Sequence, residues 1–264
     1  MRLEGKIAIV VGAGQTPGDT IGNGRATAIL FAREGAKVML VDCDLASAEE
    51  TAVLIRGDGG TCETFEADIT VEADCHAFAQ ATMAAYEGID ILHNNVGIGH
   101  GDAGPVHLEE ETFQRILDVN LKGTFLSCKH VLPIMRRRNG GSIINVSSIA
   151  AVCAVGMVAY KTSKAAVNAL THSIAMGNAK YGIRANVIMP GLINTPMAIE
   201  GISRARGIDK NELITQRDAR VPLGRKMGTA WDVAYAALFL ASEEAKFITA
   251  VELPVDGGQS ARIG

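Results

Sequence analysis

The sequence predicts an α/β fold: a single domain built on a doubly wound parallel sheet of about seven strands, with helices on both faces. Short apolar runs alternate with longer amphipathic segments along all 264 residues. Several runs are hydrophobic almost throughout, as is typical of parallel strands covered on both faces. No repeat, low-complexity tract or Pro/Gly/Ser-rich linker divides the chain, so we expect residues 1–264 to form one domain.

Seven segments have the length and composition of buried strands. They are residues 6–12, 37–42, 61–68, 89–97, 141–148, 183–191 and 250–258. Two of the intervening segments show clear helix ends, since residues 24–34 stop at Gly35 and residues 46–56 run into the sequence GDGG. Alternating strands and helices imply right-handed crossovers, and therefore a doubly wound sheet.

Residues 192–228 depart from this alternation. The segment is rich in charge, follows a predicted strand end and separates two strands by far more than a simple crossover. Long excursions at the carboxyl edge of such a sheet are often binding lids, so we interpret this one as a substrate-binding lid. A solvated pair of surface helices is the alternative.

Composition narrows the function classes. A net charge of −4 gives no electrostatic reason to expect nucleic acid or an anionic membrane as a partner. The five cysteines are scattered without a CxxC pair, which is typical of free thiols in a reducing cytoplasm. The start MRLEGKIAIVV has the pattern of a charged lead-in to a short strand, so we expect no signal peptide there. Residues 139–160 carry no charge, but Asn145 and Ser147 would lie mid-span, so we expect a strand and loop there.

Three histidines and three methionines are weaker candidates for site residues. His93, His100 and His107 are spaced by seven, but they fall in a predicted strand and a loop, so we expect no metal site. Methionine adapts to irregular apolar shapes, and three methionines could line a substrate wall or simply pack in the core. They are Met157, Met189 and Met197.

A glycine-rich loop follows the first predicted strand. Gly12 ends that strand, and Gly22 and Gly24 come ten and twelve positions later, so the loop is longer than a usual nucleotide loop. No complete G-x-G-x-x-G is present. The N-terminus of the helix that begins near Gly22 should bind phosphate through free N–H groups, including that of Asn23. We expect residues 15–20 to bulge outward, and we count Gln15 among the cofactor contacts.

Asp42 ends the second predicted strand, eighteen residues after Gly24. A carboxylate near this offset accepts hydrogen bonds from the adenosine ribose hydroxyls and repels a 2′-phosphate. It therefore favours NAD over NADP as the cofactor. A turn-initiating aspartate is the alternative interpretation.

Tyr160 and Lys164 form the most specific chemical pair. Positions i and i+4 lie on one helix face, and a nearby cation would lower the pKa of the phenol and make it a usable base. Ser147 and Ser148 end the predicted strand 141–148 and can present a hydroxyl at its carboxyl end.

These features together resemble the short-chain dehydrogenase/reductase family over essentially the whole chain. Tyr160 and Lys164 match its Tyr-x-x-x-Lys motif. The other matching motifs are NNVG at 94–97, Asn120 in DVNLKG, PGLINT at 190–195 and VDGG at 255–258. The resemblance implies a Rossmann-type fold and a homotetramer whose interfaces use residues 110–136 and 157–180.

The resemblance also implies roles for individual residues. Tyr160 would be the general acid/base, Lys164 would hold the nicotinamide ribose, a serine of the 147–148 pair would bind the substrate oxygen, and Asn120 would help to hold a relay water. The implied cofactor-binding residues, beyond those of the glycine loop, are Asp68, Ile69 and Asn94 on the adenosine side, Ile193 and Thr195 at the carboxamide, and Gly97 and Pro190.

Two departures from the family pattern affect these assignments. Counting back thirteen residues from the tyrosine points to Ser147, whereas the strand pattern NVSS points to Ser148, which we favour. In the glycine loop, Val11 replaces the family threonine, and Gly18, Gly22 and Gly24 fit the family spacing as an alternative to Gly12, Gly22 and Gly24.

The sequence therefore predicts an NAD-dependent dehydrogenase that oxidises a secondary alcohol to a ketone. Two alternatives stay open. One is a carbonyl reductase of the 3-oxoacyl type, which Asp42 disfavours because most reductive routes use NADPH. The other is a non-catalytic NAD-binding sensor or scaffold, against which the complete Ser, Tyr, Lys and Asn set speaks.

Overall fold

A parallel sheet of seven strands forms the centre of the protein, in the order β3-β2-β1-β4-β5-β6-β9. The computed structural model describes residues 1–262. The strands of this sheet are β1 (Ile7–Val11), β2 (Lys37–Asp42), β3 (Thr61–Glu66), β4 (Ile91–Asn94), β5 (Gly141–Val146), β6 (Ile183–Pro190) and β9 (Glu252–Val255). A separate two-stranded ladder pairs β7 (Ile193–Asn194) with β8 (Gly228–Thr229).

Helices cover the sheet on both faces. They are α1 (Asn23–Arg33), α2 (Leu45–Gly57), α3 (Glu72–Tyr86), α4 (Glu110–Leu117), α5 (Gly123–Arg138), α6 (Val158–Asn178), α7 (Pro196–Arg206), α8 (Lys210–Asp218) and α9 (Ala230–Ala241). Successive side chains of a strand point to opposite faces, and β1 shows the consequence. Ala8 and Val10 pack in the core on the α1 and α9 side, while Ile9 and Val11 pack on the α3 and α5 side.

The predicted fold class is confirmed, and each of the seven predicted strands is present, most of them shorter than predicted. The ladder of β7 and β8 was missed, because two-residue strands have no recognisable pattern and their pairing joins distant parts of the chain. This ladder closes the base of residues 192–228, which contain α7 and α8. Residues 139–160 form β5, a turn and the start of α6. Within residues 1–262, no helix is long and apolar enough to span a membrane.

Candidate active site

The predicted site residues lie largely at one edge of the sheet. In a parallel sheet, the carboxyl ends of all strands share an edge, and ligands bind where the strand order reverses. Here the order reverses between β1 and β4. Gly12 follows β1, Asp42 ends β2, Asn94 ends β4, Ser147 follows β5 and Pro190 ends β6.

Gly12 and Gly24 bring strand β1 and helix α1 into direct backbone contact. A Cβ atom on Gly24 would lie 1.8 Å from the Gly12 carbonyl oxygen. Gly12 itself has a φ of +80°, which side chains other than hydrogen rarely allow. Helix α1 begins at Asn23, so its N-terminus is held against the end of β1. Gly24 is required by the close contact of the two backbones, and Gly12 is required by its positive φ.

Residues 15–20 bulge outward, as expected. The Gln15 side chain closes the base of the bulge, since its Oε1 accepts from the Gly22 N–H at 2.8 Å and its Nε2 donates to the Thr20 carbonyl at 3.3 Å. Gly18 lies at the rim against α7, where a Cβ atom would come within 2.9 Å of Pro196 Cβ. The glycines that meet at the end of β1 are therefore Gly12 and Gly24, while Gly22 directly precedes α1 and lies against Gln15. The amide of Gln15 is occupied by the loop itself.

Asp42 faces the glycine loop from the end of β2. Its Oδ2 accepts from the Gly14 N–H at 2.8 Å, and its Oδ1 accepts from the Asp44 N–H at 3.1 Å. The second contact is that of a turn-initiating aspartate. Asp42 therefore initiates the turn after β2 and also contacts the glycine loop. Ser47 on α2 also supports the loop, because its Oγ accepts from the Gln15 N–H at 2.8 Å.

The side chain of Asn94 points into the protein. Its Nδ2 donates to Asn145 Oδ1 at 2.8 Å inside the protein, and Asn145 in turn donates to Thr171 on α6. The residue therefore ties β4 to β5 instead of lining the adenosine side with its amide. The next residue, Asn95, was missed by the sequence reasoning. Its Nδ2 donates to the Gly12 carbonyl at 3.3 Å.

Asp68 and Ile69 follow β3 and lie in different environments. Asp68 is exposed, and its Oδ1 accepts from both the backbone N–H and the hydroxyl of Thr70 at 2.8 Å. Ile69 is buried against α5, where a Cβ atom on Gly123 would lie 2.5 Å from Ile69 Cδ1. Only Asp68 of this pair offers a solvent-facing polar group.

Tyr160 and Lys164 share one face of α6, as the spacing predicts. The Lys164 Nζ lies 5.8 Å from the centre of the Tyr160 ring and donates to the Val146 carbonyl at 2.9 Å. Gly97 leaves room for the ammonium group, because a Cβ atom at that position would lie 2.7 Å from Nζ. Lys164 is buried, whereas Tyr160 is half-buried.

The pKa shifts of this pair follow from burial. Desolvation raises the pKa of Tyr160, and a hydrogen bond with Ser148 opposes that rise. Desolvation also lowers the pKa of Lys164, to about 8. Lys164 is not among the causes of the Tyr160 shift, so the expectation that it lowers the tyrosine pKa stays a prediction.

The two candidate serines have different partners. The Ser147 hydroxyl is buried and donates to the Lys164 carbonyl at 2.9 Å, which ties β5 to α6. The Ser148 hydroxyl accepts from the Ala150 N–H at 3.1 Å, and it lies near enough to Tyr160 to lower the pKa of the phenol. Ser148 is thus the serine that the fold turns toward the tyrosine.

Asn120 lies on a π-helical turn (Asp118–Lys122) between α4 and α5. Its Oδ1 accepts from the Ile98 N–H at 2.7 Å, and its Nδ2 donates to the Ile98 carbonyl at 2.9 Å and to Ser163 Oγ at 2.9 Å. Both amide atoms are used by the protein. The side chain therefore fixes the loop after β4. The role of Asn120 in holding a relay water, which the resemblance implies, stays a prediction.

The end of β6 supplies the remaining predicted contacts. Ile193 in β7 and Thr195 at the start of α7 are both buried. The Leu192 N–H donates to Gln259 Oε1 at 2.7 Å, which links this turn to the C-terminal segment. Among the three methionines, Met189 is a core residue, Met157 packs near Gly99 and Tyr160, and Met197 is exposed.

His93 is a core residue of β4. Its ring packs edge-on against Phe31 with 6.1 Å between ring centres. Burial lowers the pKa of His93 to about 3, so the imidazole is neutral. Neither His93 nor the other histidines belong to a metal-binding cluster in residues 1–262.

Comparison with known proteins assigns the chain to a family. The family described as enoyl-(acyl carrier protein) reductase matches residues 19–260. 2-(R)-Hydroxypropyl-CoM dehydrogenase of Xanthobacter autotrophicus is 38% identical over 97% of this chain and 99% of its own. A crystal structure described as a short-chain dehydrogenase/reductase from Burkholderia xenovorans has 40% identity and a TM-score of 0.91, covering 100% of this chain and 99% of that one.

A further solved structure is that of NAD⁺-bound xylitol dehydrogenase. It is 30% identical, with a TM-score of 0.89, and the match covers 98% of this chain and 100% of that one. Sequence similarity, fold and motif positions agree over nearly the full length. The chain belongs to the short-chain dehydrogenase/reductase family of oxidoreductases.

Proposed function

We propose that this protein is an NAD-dependent dehydrogenase that oxidises a secondary alcohol to a ketone. The observation that carries the proposal is the juxtaposition of Tyr160, Ser148 and Lys164 at the carboxyl edge of the sheet. A phenol next to a hydroxyl and a buried lysine can exchange a proton with an alcohol oxygen.

The residues at the end of β1 fit a dinucleotide. Because Gly24 has no side chain, the backbone of α1 lies directly against the end of β1, and the free N–H groups at the start of α1 can bind an anion there. Asn23 Oδ1 is buried without a hydrogen-bond partner among residues 1–262, which leaves an acceptor for a bound group. The proposed contacts here are Gly12, Gln15, Gly22, Asn23 and Gly24.

Other residues would hold the rest of the cofactor. We assign the adenosine ribose to Asp42, which offers a carboxylate beside the glycine loop and would repel a 2′-phosphate. Asp68, Ile69 and the backbone of Asn94 would line the adenosine side. Gly97, Lys164, Pro190, Ile193 and Thr195 would hold the nicotinamide half. NAD bound by these residues would supply the acceptor for the hydride of the carbinol carbon.

Proton transfer falls to the side chains of the chain itself. Tyr160 takes the hydroxyl proton of the alcohol through its phenolic oxygen, and it returns a proton to the oxygen in the reverse direction. Ser148 hydrogen-bonds the same oxygen and orients it toward Tyr160. Lys164 places a positive charge near the phenol and binds the ribose hydroxyls through Nζ.

Residues 192–228 would form the substrate-binding lid. Their two ends are joined by the β7 and β8 ladder, so the intervening helices form a closed excursion above Pro190. The exposed Met197 on α7 and the half-buried Met157 near Tyr160 would supply apolar contacts to the substrate.

The test is a turnover assay of the purified chain with NAD or NADP and a panel of cyclic, linear and polyol secondary alcohols. The proposal expects reduction of NAD at 340 nm with at least one alcohol, and a preference for NAD. A strict preference for NADPH with 3-oxoacyl substrates would favour the carbonyl reductase. Tight NADH binding without turnover on either panel would favour a sensor or scaffold.

Assembly as a homotetramer in the cytoplasm is part of the same proposal. Phe125 is 46% exposed in a groove of about 420 Å³ between the α4–α5 region and α6, which a second copy of the chain would cover. Sedimentation or light scattering should give four times the mass of the chain. A Phe125→Asp variant should lower this mass, and a monomeric unmodified chain would overturn the assignment.

A further inference from the structure

Asp102 lies in the loop after β4 and caps the helix that carries Tyr160. Its Oδ1 accepts from the backbone N–H groups of Val158 at 3.1 Å and Ala159 at 3.2 Å, and its Oδ2 accepts from that of Tyr160 at 2.6 Å. The first N–H groups of a helix have no partner within the helix. No side chain from the N-terminal end of α6 caps it, so the acceptor comes from a residue 58 positions earlier in the chain.

The loop that carries Asp102 is itself held in place. Both backbone polar groups of Ile98 are bound by the Asn120 amide, at 2.7 and 2.9 Å. Gly99 then passes directly beneath the tyrosine, where a Cβ atom would lie 3.2 Å from Tyr160 Cδ2. Residues 98–102 therefore touch Tyr160 twice, at its ring and at its backbone, and are anchored on the side away from it.

We propose that Asp102 is a positioning residue that holds Tyr160 in its reactive place. This inference rests on the proposed function, because it concerns how the proposed general acid/base is held. Tyr160 is the third residue of α6, so the direction of its ring follows the geometry of the first helical turn. A carboxylate at a helix N-terminus is favoured by the helix dipole and fixes that turn.

Lys164 provides a reference point for this proposal. It lies one turn further along α6, and its Nζ donates to the Val146 carbonyl at 2.9 Å and, at 3.5 Å, to the Val96 carbonyl that precedes the loop 98–102. Loss of Asp102 should therefore displace Tyr160 while leaving the proposed ribose contact of Lys164 in place. A positioning role thus predicts a loss of turnover without a matching loss of cofactor affinity.

The experiment compares Asp102→Ala and Asp102→Asn with the unmodified chain, using the best alcohol from the panel. Asp102→Ala should lower kcat by about 10- to 100-fold, because displacements near 1 Å cost about that much. The NADH Kd should change by less than about twofold, because no proposed contact with the cofactor is lost. The primary deuterium isotope effect on kcat should rise as the chemical step becomes limiting. Asp102→Asn keeps an acceptor oxygen, so its kcat should lie between that of Asp102→Ala and that of the unmodified chain.

Asp90→Ala is the matched control. Asp90 is also a carboxylate that accepts a backbone N–H, from Ile7 at 2.8 Å, but it lies at the opposite edge of the sheet. This variant should lose thermal stability without the loss of kcat. Gly99→Ala is a second test, since its methyl group would meet Met157 Cε at 2.6 Å and Tyr160 Cδ2 at 3.2 Å without removing the cap. It should lower kcat and leave the NADH Kd nearly unchanged. This variant keeps the inference testable if Asp102→Ala does not fold.

Three results would overturn the inference. They are a kcat of Asp102→Ala within twofold of the unmodified chain, a parallel loss of kcat and NADH affinity, and a similar kcat loss in Asp90→Ala. Absence of turnover in the unmodified chain would instead contradict the proposed function. In that case, hydrogen–deuterium exchange still tests the contact: the amides of residues 158–160 should exchange faster in Asp102→Asn, and unchanged exchange would refute it.

Discussion

The carbonyl oxygen of Gly12 occupies the place where a side chain on Gly24 would begin, 1.8 Å from the position of its Cβ atom. This contact presses the start of α1 against the end of β1. Gly12, Gly24 and the start of α1 form what we call the glycine cradle. The extra residues of the loop leave this cradle at Gln15 and return at Gly22, so the long glycine spacing does not open it.

Gly24→Ala should therefore damage cofactor binding. The methyl group would meet a backbone atom that cannot move aside, so the strain should reach the upper end of overpacking costs, about 3 kcal/mol. We expect a lower Tm and an NADH Kd at least tenfold higher by fluorescence titration. Gly57→Ala on α2 is the control, because nothing lies within 4 Å of its Cβ position. Unchanged NADH affinity in Gly24→Ala would contradict this account of the cradle.

Asp42 should set the choice between NAD and NADP. Asp42→Ala removes both the ribose contact and the repulsion of a 2′-phosphate, so NAD affinity should fall roughly tenfold, the loss of one hydrogen bond to a charged group. Asp42→Asn keeps an acceptor for the Gly14 N–H and removes only the charge. In steady-state kinetics, both variants should accept NADP better than the unmodified chain does. A chain that already prefers NADP would refute the assignment.

The contact between the glycine loop and α7 should affect alcohol binding. A methyl group on Gly18 would come within 2.9 Å of Pro196 Cβ and 2.8 Å of Glu200 Cγ, so α7 must shift. Gly18→Ala should raise the KM for the alcohol several-fold, on the scale of a cost of about 1 kcal/mol. Gly201→Ala on the same helix has open space and serves as the control. Equal KM values for both variants would show that the contact does not position the lid.

His93 should make stability depend on pH. Its pKa of about 3 in the folded protein lies below the ordinary value, so the unfolded chain binds a proton first. The contribution of neutral His93 is therefore complete above pH 6.5 and is lost as the pH falls toward 3. The free energy of unfolding should fall by about 1.4 kcal/mol per pH unit more steeply than in His93→Leu between pH 6 and pH 4. Parallel curves would show that His93 is not buried and neutral.

The sequence predicts the sheet and most positions of the site, but not the direction of each side chain. Asn94 has the predicted place at the end of β4, yet its amide points to Asn145, because a buried amide must find a partner. Asp102 lies in an irregular loop and carries no periodic signal, so its contact with α6 emerges only in three dimensions. The upward shift of the Tyr160 pKa likewise depends on burial, which spacing alone does not specify.

Replacement of the proposed acid/base tests the central claim most directly. Tyr160→Phe keeps the ring and removes the exchangeable proton, so alcohol oxidation with NAD should fall by a factor of about 100 or more. The NADH Kd should change little, since Lys164 and the glycine cradle stay in place. A Tyr160→Phe variant that keeps near-normal turnover would contradict the mechanism proposed for this site.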